Sequence, residues 1–241
     1  MGTSTDRSAG SGGAWTPLKR ATTSYLRTLG TAGSDSRARR LLGRHVPVLG
    51  GTAGAAGSAR AGARGIQRLG ALVSGMGAAN LATALASIGL ADLVGQDRFS
   101  VLDALITFIA GDGDDLDAQA ARDAACDVLE ELFGDADQWA DLASINVTAD
   151  DLQRMLEMFL SLYVYNRVPV LAERLSRLDD PAQSRQADQE MRLIIADMVA
   201  IHMPDNPFTL DWRGGAGRAL AEDAIASVYE AFNAPTEADP A

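Results

Sequence analysis

Between Arg68 and Asp92 the sequence carries no charge, and glycine returns at positions 50, 51, 54, 57, 62, 65, 70, 75, 77 and 89. Few folds accept such a stretch. Each glycine inside a helix costs about 1 kcal/mol against alanine, so something outside the segment must compensate for it. Small residues four apart, as in Gly50-Thr-Ala-Gly-Ala-Ala-Gly57, let helix backbones approach closely. Residues 69–91 are long enough to cross a bilayer, so a membrane-active effector working through 69–91 is one reading. Asn80, three Ser/Thr residues and the glycines make that span a poor insertion sequence, and no stable membrane insertion is expected. A tightly packed helical hairpin fits better. A flexible element ordered by a partner comes second.

The rest of the chain reads as helix. Alanine and leucine dominate the apolar residues, and β-branched residues never form alternating runs. Thr16-Pro17 resembles a helix start, with Leu18, Tyr25, Leu26 and Leu29 at helical spacing. A second helix is predicted over Asp35 to His45, carrying Arg37, Arg39, Arg40 and Arg44. Leu152, Met155, Leu156, Phe159, Leu160 and Tyr163 mark one face of a helix opened by the capping sequence Thr148-Ala-Asp-Asp151. Pro169 and Pro181 are read as interruptions before a long helix over 184–203. The expected fold is all-α, a multi-helix bundle with a flexible Gly/Ser/Thr-rich N-terminal tail and a Gly/Ala-rich helical segment. Its expected parts are a tail (1–16), a basic Gly/Ala/Arg-rich helical region (17–95), an acidic helical domain (96–234) and a loose C-terminal tail (235–241).

Charge divides the chain in the same place. Residues 1–75 hold eleven Lys/Arg against two acidic residues, and residues 76–241 hold ten against thirty. Two surfaces with different tasks, or a basic part folded onto an acidic one, both follow from this polarity. The one cysteine, Cys126, forms no internal disulfide, and no secretory signal is visible, so a cytoplasmic location is expected.

Chemistry-bearing motifs fail on inspection. The run Gly111-Asp-Gly-Asp-Asp-Leu-Asp117 breaks the calcium-loop template and reads as a helix entry, so no metal site is expected. Gly75-Met-Gly77 lacks the strand that a dinucleotide fingerprint requires. His45 and His202 have no catalytic companion in the sequence, and no catalytic residue is assigned. The arginines at 37, 39, 40, 44, 60, 64 and 68 have the charge for phosphate contacts, but hardly any aromatic residues accompany them. They suit a nucleic-acid adaptor, a protein-docking surface or a match to the acidic half.

The N-terminus adds a chemical possibility. Initiator methionine is removed before a small residue, so the mature chain is expected to begin at Gly2. Its α-amine, with a pKa near 8, is partly unprotonated at neutral pH and unhindered by a side chain. The myristoylation pattern wants Ser or Thr at position six, where Asp6 stands.

The start Met1-Gly2-Thr3-Ser4-Thr5, followed by a Gly/Ser stretch, resembles the QatB component of the Qat anti-phage defence system. Tyr25-Leu26, Ser34-Asp-Ser-Arg-Ala-Arg-Arg40, the Gly/Ala/Arg segment and the acidic helical remainder follow the same layout. Other members often carry a longer proline-rich stretch after the start, where this chain keeps only Pro17. The resemblance implies a non-enzymatic component that works with an ATPase (QatA), a QueC-like protein (QatC) and a TatD-like nuclease (QatD). QueC enzymes use ATP to activate a 7-deazaguanine carboxylate. The resemblance therefore implies Gly2 as acceptor of a 7-deazaguanine acyl group, with no cofactor bound by the chain itself. Thr3, Ser4 and Thr5 would thread the partner's active site, and Arg37, Arg39, Arg40 and Arg44 would help dock it. An extended tail of fifteen residues spans up to about 50 Å.

Overall fold

The computed structural model describes residues 13–134 and 136–234. Those residues form twelve α-helices and three short 3-10 turns, with no strand among them. The helices are α1 (Trp15–Leu26), α2 (Ser34–His45), α3 (Gly51–Gly57), α4 (Arg60–Ala78), α5 (Leu81–Ser87) and α6 (Arg98–Ala110). They continue as α7 (Leu116–Phe133), α8 (Trp139–Ser144), α9 (Ala149–Asn166), α10 (Pro169–Leu175), α11 (Pro181–Met198) and α12 (Gly215–Asn233). The all-α expectation holds. Residues 2–5 and 235–241, which carried the expectations about both tails, lie outside the described residues.

The chain forms two compact units, each assembled from separated stretches. The first holds residues up to 58, residues 168–198 and those from 226 onward; the second holds 59–167 and 199–225. The expected boundary at residue 95 coincides with no edge of either unit.

In the first unit α1 and α2 pack on each other, and α11 packs on α2. Leu18, Tyr25, Leu41, Leu42, Met191 and Ile195 are fully buried. Tyr25 buries its ring and donates its hydroxyl to the carbonyl of Ala187 at 3.0 Å, so burial of the phenol leaves no polar atom stranded. Ser34 donates to Glu190, and Arg39 spans Asp35 and Asp197, tying α2 to α11 by polar contacts around that core. Gly30 ends the α1 turn at φ 72°, a left-handed conformation that suits glycine.

In the second unit α4 packs against α5, α6, α7 and α9. Its glycines explain why. A Cβ at Gly62 would meet the Tyr163 ring at 2.2 Å, and one at Gly65 would meet the Phe159 ring at 2.2 Å. These two rings lie one turn apart on α9, nearly parallel, with centroids 6.2 Å apart. Further along α4, Gly70 faces the Trp212 ring and Gly77 faces Phe208. Close packing against aromatic rings offsets the helix propensity that the glycines forfeit. The hairpin expectation also holds: Asn80 caps α5 by accepting from the Thr83 amide at 2.9 Å, directly after α4. Residues 69–91 are therefore two helices, and no helix among the described residues is long and apolar enough to cross a membrane.

Several local expectations need correction. Pro169 and Pro181 do mark breaks between helices, and each stands at the first position of the next one, where a missing N–H costs nothing. The long helix accordingly runs Pro181–Met198, earlier than the expected 184–203. Thr16 is no cap either: α1 begins at Trp15, one residue before it. Phe99, near the start of α6, is 81% exposed.

Candidate functional site

The basic residues expected to bind partners divide by what they touch. Arg39 is committed: its Nε lies 3.0 Å from Asp35 and its Nη2 lies 2.7 Å from Asp197. Hydrogen bonds that Arg39 donates to Asp197 first, then to Asp35, push its guanidinium above its ordinary range. Arg40 and Arg44 are exposed on α2. Arg37 is exposed and turns toward α1, where its Nη1 donates to Ser24 Oγ at 2.6 Å.

That contact lies on the wall of a groove of about 630 Å³ in the first unit. Lys19 and Arg20 line it from α1, Arg27 from the cap position at the end of α1, Arg37 from α2 and Arg174 from α10. Thr16, Thr23, Ser24 and Thr28 supply hydroxyls between them. The α1 periodicity produces this arrangement: Leu18, Ala21, Thr22 and Tyr25 point inward, which leaves 16, 19, 20 and 23 on the outer face, with 27 just past the helix end. An adjoining depression of about 470 Å³ shares Thr23, Arg27 and Arg174 and adds Arg177. Arg177 is paired with Glu173 at 2.7 Å. Lys19, Arg20, Arg27 and Arg174 have no carboxylate within ion-pair distance among the described residues. A groove of unpaired cations and hydroxyls attracts an anionic surface and donates hydrogen bonds to it. Lys19, Arg20, Arg27 and Arg174 were not singled out by sequence reasoning. Their helical spacing on α1 was legible, whereas the contribution of α10 was not.

The second unit carries a smaller depression of about 240 Å³, lined by Arg64, Gln67, Arg68, Phe108, Trp212 and Arg213. Two of its residues, Arg64 and Arg68, belong to the arginine set read from the sequence; Arg213 does not.

Two other clusters are structural. Asp117 accepts from the Ala61 amide at 2.7 Å and from the Tyr163 hydroxyl, and lies 3.4 Å from Arg167 Nε. It thereby caps the start of α4 from another helix. The aspartates after Gly111 serve the entry of α7, where Asp115 accepts from the Ala118 amide at 2.7 Å. The Cys126 thiol is pushed up chiefly by burial, then by Asp123 and Asp127, which disfavours the thiolate. His45 is buried at the end of α2, and His202 is exposed.

These features define a class: a protein that is helical throughout its described elements and carries two cationic depressions, one in each unit. The family model for the Qat anti-phage system associated protein QatB matches residues 50–232, and the chain belongs to that family. It is thus a component of the Qat anti-phage system. No curated protein and no solved structure matches the chain. The matched span runs from α3 almost to the end of α12. The first five residues, which carried the most specific part of the resemblance, lie outside it.

Proposed function

We propose that the chain is a non-enzymatic acceptor protein of the Qat system, modified at Gly2 by a QueC-like partner. The partner activates a 7-deazaguanine carboxylate with ATP as an acyl-adenylate, and pyrophosphate leaves. The unprotonated α-amine of Gly2 attacks the acyl carbon, an amide bond forms, AMP leaves, and the amine's proton passes to solvent. Glycine suits the step because no side chain crowds the nitrogen, and an α-amine is partly deprotonated near neutral pH.

The observation that carries this reading is where the cationic groove stands in the chain. Thr16, Lys19 and Arg20 line the groove from the first turns of the helix that begins at Trp15. An acidic partner surface seated there would have the root of the N-terminal segment beside it. The residues preceding α1 span at most about 45 Å when extended, enough to enter an active site of the docked partner. Arg37 belongs to this docking surface, with Arg40 and Arg44 on the same helix, and Thr3, Ser4 and Thr5 would follow Gly2 into the partner. The modified protein then engages the ATPase or the TatD-like nuclease. The face of α4 that meets Phe159 and Tyr163 is taken by the chain's own rings, so docking falls to the charged surfaces.

Intact mass of the chain co-expressed with the QueC-like partner tests the proposal. An adduct of one 7-deazaguanine acyl group is expected, and Gly2→Pro should lack it. An unchanged mass with demonstrably active partner would overturn the reading. The alternative, a nucleic-acid-binding adaptor using arginines 37–68, is favoured by Arg64 and Arg68 standing in one depression. It predicts DNA or RNA affinity that falls steeply with salt.

A further inference from the structure

Arg64, Arg68 and Arg213 bring three guanidinium groups to the wall of one depression of about 240 Å³. None of the three has a carboxylate within ion-pair distance among the described residues. Cations on a protein surface ordinarily spread apart or pair. Here two of them are held in place by neutral acceptors instead. Arg68 Nη1 donates to the Phe108 carbonyl at 2.6 Å, and its guanidinium lies over the Phe108 ring, 5.6 Å from the centroid. Arg213 Nη1 donates to the Ser87 carbonyl at 2.7 Å. A backbone carbonyl orients a guanidinium without neutralising it, and one such bond leaves most of the five N–H donors of the group uncommitted.

The site is built from rigid parts. Arg64, Gln67 and Arg68 are on one face of α4 at i, i+3 and i+4 spacing. Trp212 is 3% exposed, its ring lies on Gly70, and its indole nitrogen donates to the Pro207 carbonyl at 3.0 Å. Gln67 donates to the Trp212 carbonyl at 3.4 Å, which fastens the Trp212–Arg213 segment to α4. Arg68 itself is half-buried, and burial followed by the charge of Arg64 lowers its pKa, with Asp112 as a weaker opposing influence. The folded protein thus holds like charges close together, a repulsion that an anion in the depression would relieve.

We infer that this depression is a binding site for a single phosphoryl group, free or carried on a small molecule such as a nucleoside monophosphate. Three guanidinium groups match the charge of a phosphate dianion and its three terminal oxygens better than they match one carboxylate. The volume also favours a small ligand: about 240 Å³ is below the range of sites that enclose a drug-sized molecule. The inference is independent of whether Gly2 is modified.

Trp212 lines the depression, so the full chain can be titrated by tryptophan fluorescence at constant ionic strength. The probes are inorganic phosphate, AMP and a ten-nucleotide single-stranded DNA without terminal phosphate. Saturable responses to phosphate or AMP are expected, weakened about tenfold or more by Arg213→Gln and by Arg64→Gln. Both side chains are exposed, so helical content measured by circular dichroism should not change. A response to AMP but not phosphate would identify the ester as the source. No saturable response to either would overturn the inference, as would a response unaffected by both substitutions. A response to the DNA alone would replace it with a strand-binding surface.

Discussion

The ring of Tyr163 lies so close to Gly62 that a Cβ there would come within 2.2 Å of it, and Phe159 stands in the same relation to Gly65. Alanine at either position would raise helix propensity by about 1 kcal/mol but would drive a methyl into a buried ring. Both rings are fully buried on α9 and have little room to retreat. Gly62→Ala and Gly65→Ala should therefore each lose about 1–3 kcal/mol in urea denaturation. Gly57 ends α3 with nothing within 4 Å of its added Cβ, and Gly57→Ala should instead gain about 0.5–1 kcal/mol. Equal effects at the three positions would show that the rings do not depend on the glycines.

Asp117 holds together the same region from the polar side. Arg167 is 8% exposed and Asp117 17% exposed in their side chains, so removing the carboxylate leaves a nearly buried cation and a buried phenol without this acceptor. Asp117→Ala should cost about 3 kcal/mol. Asp117→Asn should cost less, because its amide oxygen still accepts from the Ala61 amide at the start of α4. Urea midpoints for the two variants check the order.

How far the sequence revealed this fold depends on how local each signal was. The 3.6-residue spacing of Leu152, Met155, Phe159 and Tyr163 predicted the buried face of α9 directly, and every one of them is buried. The glycine spacing announced a close approach but could not say that aromatic rings from α9 would fill it, since those partners are about a hundred residues away. Pro169 and Pro181 were ambiguous because proline both stops helices and starts them. At the candidate sites, Arg37, Arg64 and Arg68 were visible as part of a basic run, while Arg174 and Arg213 come from stretches with no such run. Trp212 and Arg213 reach α4 across 145 residues, as the Gln67 hydrogen bond shows, and loops leave no periodicity to read.

Acid should erode particular helix starts. Hydrogen bonds from the Thr148 hydroxyl and amide hold the Asp151 carboxyl below its ordinary range, and Ser100 does the same for Asp97. A carboxyl with a depressed folded pKa stabilises the protein above the unfolded value, near 3.9, and loses that contribution as pH falls through the folded value. Asp151→Asn should thus be less stable than the parent chain at pH 7, with the gap narrowing below about pH 4. Thr148→Ala removes the reciprocal cap as well, which donates and accepts at 2.7 and 3.1 Å, and should cost about 1 kcal/mol at pH 7. Thermal melts at pH 7 and pH 3 measure both. A gap that widens in acid would contradict the sign.

Arg37 and Arg39 are two residues apart on α2 and should separate stability from docking. Arg39 bonds to Asp35 and Asp197, but those carboxylates are 59% and 70% exposed, so solvent screening limits the pairs. Arg39→Ala should cost no more than about 1 kcal/mol and should leave the groove intact. Arg37 contributes only a hydrogen bond to Ser24 on the groove wall, so Arg37→Glu should change stability by less than about 0.5 kcal/mol. It places a negative charge among Lys19, Arg20, Arg27 and Arg174, where an acidic partner would meet it. Association with the QueC-like protein, followed by biolayer interferometry at two salt concentrations, should weaken several-fold for Arg37→Glu and hardly change for Arg39→Ala. The loss should shrink at high salt, because the partner and the groove then attract less strongly in the parent chain too. Weakening by Arg39→Ala alone would move the docking surface off the groove and onto the face that α2 shares with α11.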